Sequence, residues 1–161
     1  MTKIHGERRR AREYALQLLF QLDLAPQETE NAVGTFWDDK RATEPVMDFC
    51  DRLVRGTMRS RDAIDELIAG AAHNWRVSRM PAVDRNILRL AIHEFLHETD
   101  TPRVVVIDEA IEIAKKFGND ESGPFINGIL DAIRIKLENG EILIPDVEVP
   151  PDSTLPRRST A

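Results

Sequence analysis

The chain has 161 residues, of which 42% are hydrophobic and 31% charged, and its formal net charge is −6. This length suits one domain or two tightly packed subdomains, and the composition is that of a globular protein. No apolar run approaches the roughly 18 residues that cross a bilayer, and the N-terminus lacks the apolar stretch of a signal peptide, so we expect a cytoplasmic protein.

Helical periodicity dominates the sequence, and no segment shows the sustained apolar and polar alternation of half-buried strands. The sequence therefore predicts an all-α fold of about seven helices. We place them near residues 7–24, 29–39, 44–58, 61–72, 82–98, 103–117 and 124–138.

Several of these helix ends carry residues that favour them. Ser60 can cap the fourth helix, and Pro81 and Pro102 suit the first turns of the fifth and sixth. Gly118 suits a left-handed position that ends the sixth helix, and the segment 122–124 (Ser-Gly-Pro) opens the seventh.

The helices form one domain, 1–140, which the stretch 75–81 divides into an N-terminal half (about 7–75) and a C-terminal half (about 80–138). Prolines fall among acids, serines and threonines from residue 141 onward. We expect this tail, 141–161, to be disordered, because such a composition buries too little apolar surface to fold.

The first helix opens with a concentrated cluster of positive charge. Residues 1–12 hold one acid, Glu7, and five basic side chains: Lys3, Arg8, Arg9, Arg10 and Arg12. Arginine binds phosphate through two donors at once and stacks on bases, and short arginine-rich segments that order on contact bind single-stranded or looped RNA. The cluster therefore indicates RNA binding. The alternative is an N-terminal arm that only adds solubility.

The first helix also has a core face and an aromatic side. At about 100° per residue, Phe20 falls nearly opposite the core face and on the side of Arg9, which predicts an exposed ring suited to base stacking. Alternatively, Leu16, Phe20 and Leu24 form a second apolar stripe that packs on another helix. The core face contains Ala11, Ala15, Leu18, Leu19 and Leu22.

The sixth helix is amphipathic, and its acids fall on the polar face. Asp108, Glu109 and Glu112 are therefore predicted to be solvated rather than catalytic or metal-binding. Glu112 can form an ion pair with Lys115 or Lys116 at helical spacing.

On the fifth helix, Glu94 falls among apolar residues. A buried carboxylate needs a partner, so we expect an arginine such as Arg85 or Arg89, or a neighbouring helix end, to meet it.

The sequence holds no signature of catalysis: it lacks a Gly-rich phosphate loop, HExxH, a CxxC pair and GxSxG. His93 and His97 have metal-ligand spacing, but no third ligand shares their phase, so we expect surface histidines. The single cysteine, Cys50, lies in an apolar helical pattern that predicts a buried, inert thiol. We therefore predict no catalytic residue, no metal and no cofactor.

Four blocks of the sequence together resemble the NusB family of transcription antitermination factors. They are RRRAREYALQLLFQLD, DRNILRLAIHEF, VVVIDEAIEIAKKFG and FINGILD, which occur in the family's order between residue 7 and about residue 138. The resemblance implies two small helical bundles, no catalysis and a role in processive antitermination during ribosomal RNA synthesis. It also implies that the protein joins NusE, a small-subunit ribosomal protein, to bind the boxA element of nascent RNA.

The resemblance assigns RNA contacts to specific positions of this chain. The family's arginine motif corresponds to Arg8, Arg9, Arg10 and Arg12, and its aromatic RNA contact corresponds to Phe20. A second RNA-facing patch corresponds to Glu121 and Phe125. Family members often carry a basic residue just before that phenylalanine, whereas this chain has Pro124, which puts backbone or phosphate contacts there in doubt.

Two other classes of function compete with RNA recognition. The first is a protein-binding or self-associating module, and homodimers that mask the arginine motif are conceivable in this family. The second is the RNA-binding half of a ribosomal RNA methyltransferase. The chain length argues against it, because only the Pro-rich tail follows residue 140 and leaves no room for a cofactor-binding α/β domain.

Overall fold

The computed structural model describes residues 2–73 and 75–142, and these form seven α-helices and no strand. The predicted all-α fold is therefore confirmed. Apart from its first two residues, the tail predicted to be disordered lies outside the described residues. The helices are α1 (Thr2–Leu24), α2 (Thr29–Phe36), α3 (Glu44–Arg59), α4 (Arg61–Ala71), α5 (Ala82–His97), α6 (Arg103–Phe117) and α7 (Ser122–Glu138), with a 3-10 turn (Val77–Arg79) before α5. Among the described helices, none combines the length and apolar character that a bilayer crossing requires.

The helix ends follow the sequence signals closely, with two corrections. α1 begins at Thr2 instead of near residue 7, so the arginine cluster lies inside a formed helix and not at its first turn. Pro81 and Pro102 stand at N-cap positions, one residue before the first turns predicted for them. Ser60 is the N-cap residue of α4 but makes no side-chain capping bond, and α7 opens at Ser122 as predicted.

Two buried apolar clusters hold the fold together. The N-terminal cluster contains residues of α1, α2 and α3, with Leu90 of α5 added. The C-terminal cluster contains residues of α4, α5, α6 and α7, with Leu16 of α1 added. α1 and α5 therefore lie at the junction and contribute to both clusters. The predicted core face of α1 is confirmed, because all five of its residues are buried in the N-terminal cluster.

α4 packs on later helices of the chain. It contacts α5 and α7, and its Ile64 and Ile68 are fully buried in the C-terminal cluster. In its packing, α4 therefore groups with α5, α6 and α7.

Charged groups at the C-terminal end of α1 tie it to α5. Asp23 accepts hydrogen bonds from Arg85 and, at 3.4 Å, from Arg89. Arg89 also binds Asp65 of α4 through two donors at 2.8 and 2.9 Å. Arg85 and Arg89 were the expected partners of Glu94, and this expectation is wrong, because Arg85 binds α1 and Arg89 binds α1 and α4.

α3 and α5 meet closely at a glycine. A Cβ on Gly56 would lie 2.1 Å from Cε1 of His93, so only glycine allows this approach. His93 is buried and His97 partly buried, which corrects the prediction of surface histidines. Burial, followed by the positive charge of neighbouring groups, lowers the pKa of His93 to about 3. The predicted burial of Cys50 on α3 is confirmed.

Candidate nucleic-acid interface

Arg12 lies in the interior and clamps α1 to α5. Its Nε and Nη2 donate to the Glu94 carboxylate at 2.9 and 2.8 Å, and the two side chains are only 5% and 2% exposed. The buried carboxylate of α5 therefore has an arginine partner, but from α1. The sequence did contain the signal: Arg12, Leu16 and Asp23 share one face of α1, at spacings of four and seven residues, and all three contact the C-terminal half.

Arg9 lies at the edge of the interior and binds α6. Its Nε and Nη2 donate to Glu109 at 2.9 and 3.0 Å, while its own side chain remains 47% exposed. The hydrogen bond to Glu109 raises the pKa of Arg9. Glu109 is buried, which corrects its predicted place on a solvated face, because α1 covers that side of α6.

The other charges of α6 follow the predicted pattern more closely. Lys115 donates to Glu112 at 3.1 Å, which confirms the predicted pair. Lys116 instead reaches Glu13 of α1 at 3.0 Å. Since Arg9 pairs with Glu109 and Glu13 with Lys116, α1 and α6 run in the same direction along this surface.

Arg8 and Arg10 carry no carboxylate partner among the described residues. The Arg8 guanidinium lies 4.2 Å above the ring of Phe49 on α3, and that of Arg10 lies 5.9 Å from the ring of Tyr14. Arg10 Nη2 also donates a long hydrogen bond, 3.4 Å, to the Tyr14 hydroxyl. Aromatic rings thus position these two guanidiniums and leave their donors available for phosphate or bases.

Phe20 lies further along α1 and is partly exposed. The other two residues of the alternative apolar stripe differ in solvent exposure. Leu16 is buried in the C-terminal cluster, whereas Leu24 is 58% exposed. The stripe is therefore not one packed face, and part of the Phe20 ring remains accessible.

The turn between α6 and α7 presents Glu121 at the surface. The Ser122 hydroxyl donates to buried Asp84 of α5 at 2.7 Å and accepts the Asn119 amide at 3.0 Å. Gly118 has φ −95° and ψ −161°, not the left-handed conformation predicted for it. Glycine is required at this position for a steric reason, because a Cβ there would lie 2.5 Å from the Ser122 hydroxyl oxygen. The turn is thus fixed to α5.

Phe125 is partly exposed one turn into α7 and has an aromatic neighbour that sequence reasoning missed. Trp75 is 60% exposed, and its ring meets that of Phe125 edge to face with centroids 6.4 Å apart. The sequence had marked Trp75 only as part of a boundary segment. Its place between two polar residues, Asn74 and Arg76, in a segment with no apolar periodicity was the available sign of a surface tryptophan.

The structure does not join all the predicted residues into one contact network. Within residues 6–73 and 75–142, no hydrogen bond, ion pair or ring contact links Phe20, Glu121 or Phe125 to the arginines. The same part of the chain contains no group of three or more His, Cys, Asp or Glu side chains placed to hold a metal ion.

Comparison with known proteins gives a consistent result. The sequence profile of the NusB family matches residues 9–134. The transcription antitermination protein NusB of Anaeromyxobacter dehalogenans is 50% identical over 129 residues, covering 80% of this chain and 90% of that protein. The protein of the same name from Myxococcus xanthus is 45% identical over 137 residues, covering 82% of this chain and 97% of that protein.

Solved structures agree. NusB of T. maritima matches this fold with a TM-score of 0.73 and 39% identity, covering 84% of this chain and 97% of that one. A crystal structure of antitermination factors NusB and NusE in complex with dsRNA matches with a TM-score of 0.73 and 25% identity, covering 80% of this chain and 96% of that one. With its sequence profile matched from residue 9 to residue 134, the chain belongs to the NusB family.

Proposed function

We propose that this protein is a non-catalytic transcription antitermination factor. Together with NusE, it binds boxA-like single-stranded sequences in nascent ribosomal RNA and supports processive transcription by RNA polymerase in the cytoplasm. The observation that carries the proposal is membership of the NusB family in a chain whose first helix presents two guanidiniums, Arg8 and Arg10, that rest on aromatic rings and have no ion pair within residues 6–73 and 75–142. The solved complex of a related NusB with NusE and RNA supports both partners.

The four arginines have different roles in RNA binding. Arg8 and Arg10 contact RNA directly, since within the described part of the chain neither forms an ion pair with a carboxylate. Arg9 also contacts RNA: its guanidinium stays bound to Glu109, and the exposed part of its side chain binds a phosphate. Arg12 remains on Glu94 and acts as a positioning residue, because pulling it to the surface would leave a buried carboxylate unpaired.

Exposed rings supply the stacking surfaces. Phe20 and Phe125 are both partly exposed and stack on bases, which tolerates many sequences because every base has a flat face. Glu121 borders the second ring on a turn that Ser122 fixes to α5. Self-association of the chain stays a prediction, which sedimentation velocity can check.

A titration with labelled RNA tests the proposal. Fluorescence anisotropy would follow a boxA-like strand mixed with this protein, with NusE, and with both proteins together. We expect the two proteins together to bind more tightly than either alone, and a scrambled strand to bind more weakly. Absence of RNA binding by the mixture at low salt would contradict the proposed function.

A further inference from the structure

A cleft of about 240 Å³ opens between α1 and the first turns of α3. It is lined by Glu7, Arg8, Pro45, Asp48, Phe49 and Arg52. None of these residues except Arg8 belongs to the RNA contacts described above, so the cleft is a separate feature of the arginine-bearing end of the molecule.

The ring of Phe49 positions Arg8 at this cleft. The Arg8 guanidinium lies 4.2 Å above the ring, and the guanidiniums of Arg52 and Arg12 lie 5.1 and 5.6 Å from the same ring. Arg52 is bound to Glu98 at 2.7 Å, and Arg12 is bound on α5. Of the three arginines around Phe49, Arg8 therefore has donors to offer to a ligand.

The charges of the cleft decide between a phosphate and a base. Glu7 and Asp48 also line it, and neither carboxylate has a partner among the described residues. Because Arg52 is already paired with Glu98, the two carboxylates outweigh the positive charge of Arg8, and the cleft disfavours a phosphate. A neutral group that carries both donors and acceptors satisfies both kinds of side chain.

We propose that this cleft binds one unstacked guanine of the RNA, an inference that rests on the proposed function. Guanine has two adjacent acceptors, O6 and N7, which match the two donors of an arginine. Its other edge has two adjacent donors, N1–H and the N2 amino group, which a single carboxylate accepts together. Arg8 provides the donors, and Asp48, with Glu7 beside it, provides the acceptors.

Short oligouridine strands with one central base changed test this directly with the full chain. We expect wild type to bind a strand with guanine about tenfold more tightly than one with inosine, which lacks the N2 amino group. Asp48→Asn should abolish this difference in affinity, and Glu7→Gln should reduce it. Asp108→Asn, an exposed carboxylate of α6, is the matched control and should retain it.

A second pair of strands tests Arg8. Replacing guanine by 7-deazaguanine removes the N7 acceptor, and we expect about tenfold weaker binding by wild type. Arg8→Lys keeps the charge but loses the paired donors, so it should bind both strands equally. Circular dichroism melting would check that each variant is folded.

The outcomes separate the two proposals. Binding of all strands with equal affinity by wild type would overturn the guanine site and leave RNA binding intact. A guanine preference that survives in both Asp48→Asn and Arg8→Lys would also overturn it. Failure of wild type to bind any strand or a boxA-like RNA, with or without NusE, would overturn the proposed function itself.

Discussion

At the scale of single residues, burial gives identical side chains different roles. Arg8 and Arg12 are four residues apart on one helix, yet Arg8 is partly exposed above the ring of Phe49 and Arg12 is bound to a buried carboxylate. The need of Glu94 for a partner followed from the sequence. The identity of the partner did not follow from the sequence, because it depends on how α1 crosses α5. Arg12 and Glu94 are 82 positions apart in the chain.

The clamp between Arg12 and Glu94 predicts a large loss of stability when it is broken. Arg12→Ala should lower the free energy of unfolding by about 3–5 kcal/mol, because Glu94 stays buried without its partner. Arg10→Ala, an exposed change on the same helix, should alter it by less than about 0.5 kcal/mol. Urea unfolding of both variants measures this, and equal midpoints would show that the clamp does not stabilise the fold.

Phe20 provides the corresponding test of recognition. Phe20→Ala should cost about 1 kcal/mol of stability, less than the roughly 3–5 kcal/mol of a core change such as Phe95→Ala, since the Phe20 ring is only partly buried. RNA binding should weaken by about 1–3 kcal/mol through lost stacking. Thermal melts and RNA titrations would be compared. A loss of stability as large as that of Phe95→Ala, with unchanged RNA affinity, would assign the ring to packing.

At the scale of helices, packing accounts for what the periodicity of the sequence left open. Hydrophobic spacing located all seven helices and the core face of α1. It placed Glu109 at the surface because a helical wheel has no information about a second helix on the polar side, and the surface position expected of His93 failed for the same reason. α1 covers Glu109, and α3 meets His93 through Gly56.

The close approach of α3 and α5 predicts that a side chain at position 56 lowers the stability of the fold. Gly56→Ala should destabilise the protein by about 1–3 kcal/mol, because the new methyl group must displace the His93 ring. Gly34→Ala, inside α2 with open space around it, should be neutral or stabilising by up to about 1 kcal/mol. Melting temperatures that shift equally for both variants would contradict the contact.

Burial of His93 also predicts a pH dependence. The unfolded chain binds a proton near the ordinary pKa of 6.5, whereas the folded chain resists it down to about 3, so stability is lost as the pH falls through this window. Between pH 7 and pH 5 we expect a loss of about 2 kcal/mol. Burial lowers the pKa of His97 as well and adds to the effect. Urea midpoints at both pH values test this. His93→Phe should remove most of the slope, and a flat wild-type profile would refute the assignment.

At the scale of the whole molecule, the sequence predicted the fold class and the end of the molecule that carries the positive charge. It did not predict which arginines are available, since Arg9 and Arg12 form ion pairs with residues about a hundred and about eighty positions away. Nor did it predict that α4 packs with the later helices, because the side chains that bury it lie beyond it in the chain.

The salt dependence of RNA binding tests the central claim, that Arg8 and Arg10 hold the RNA. A contact with a phosphate of a single strand releases about 0.7 counterion, whereas Arg8 in the cleft contacts a base. The Arg8→Ala and Arg10→Ala double variant should therefore bind more weakly and reduce the steepness of the log–log slope by about 0.7, the share of Arg10. Arg134→Ala, on α7 and paired with Asp131 and Glu138, should leave the slope unchanged. A double variant with the wild-type slope and affinity would contradict the account and place the RNA on another surface.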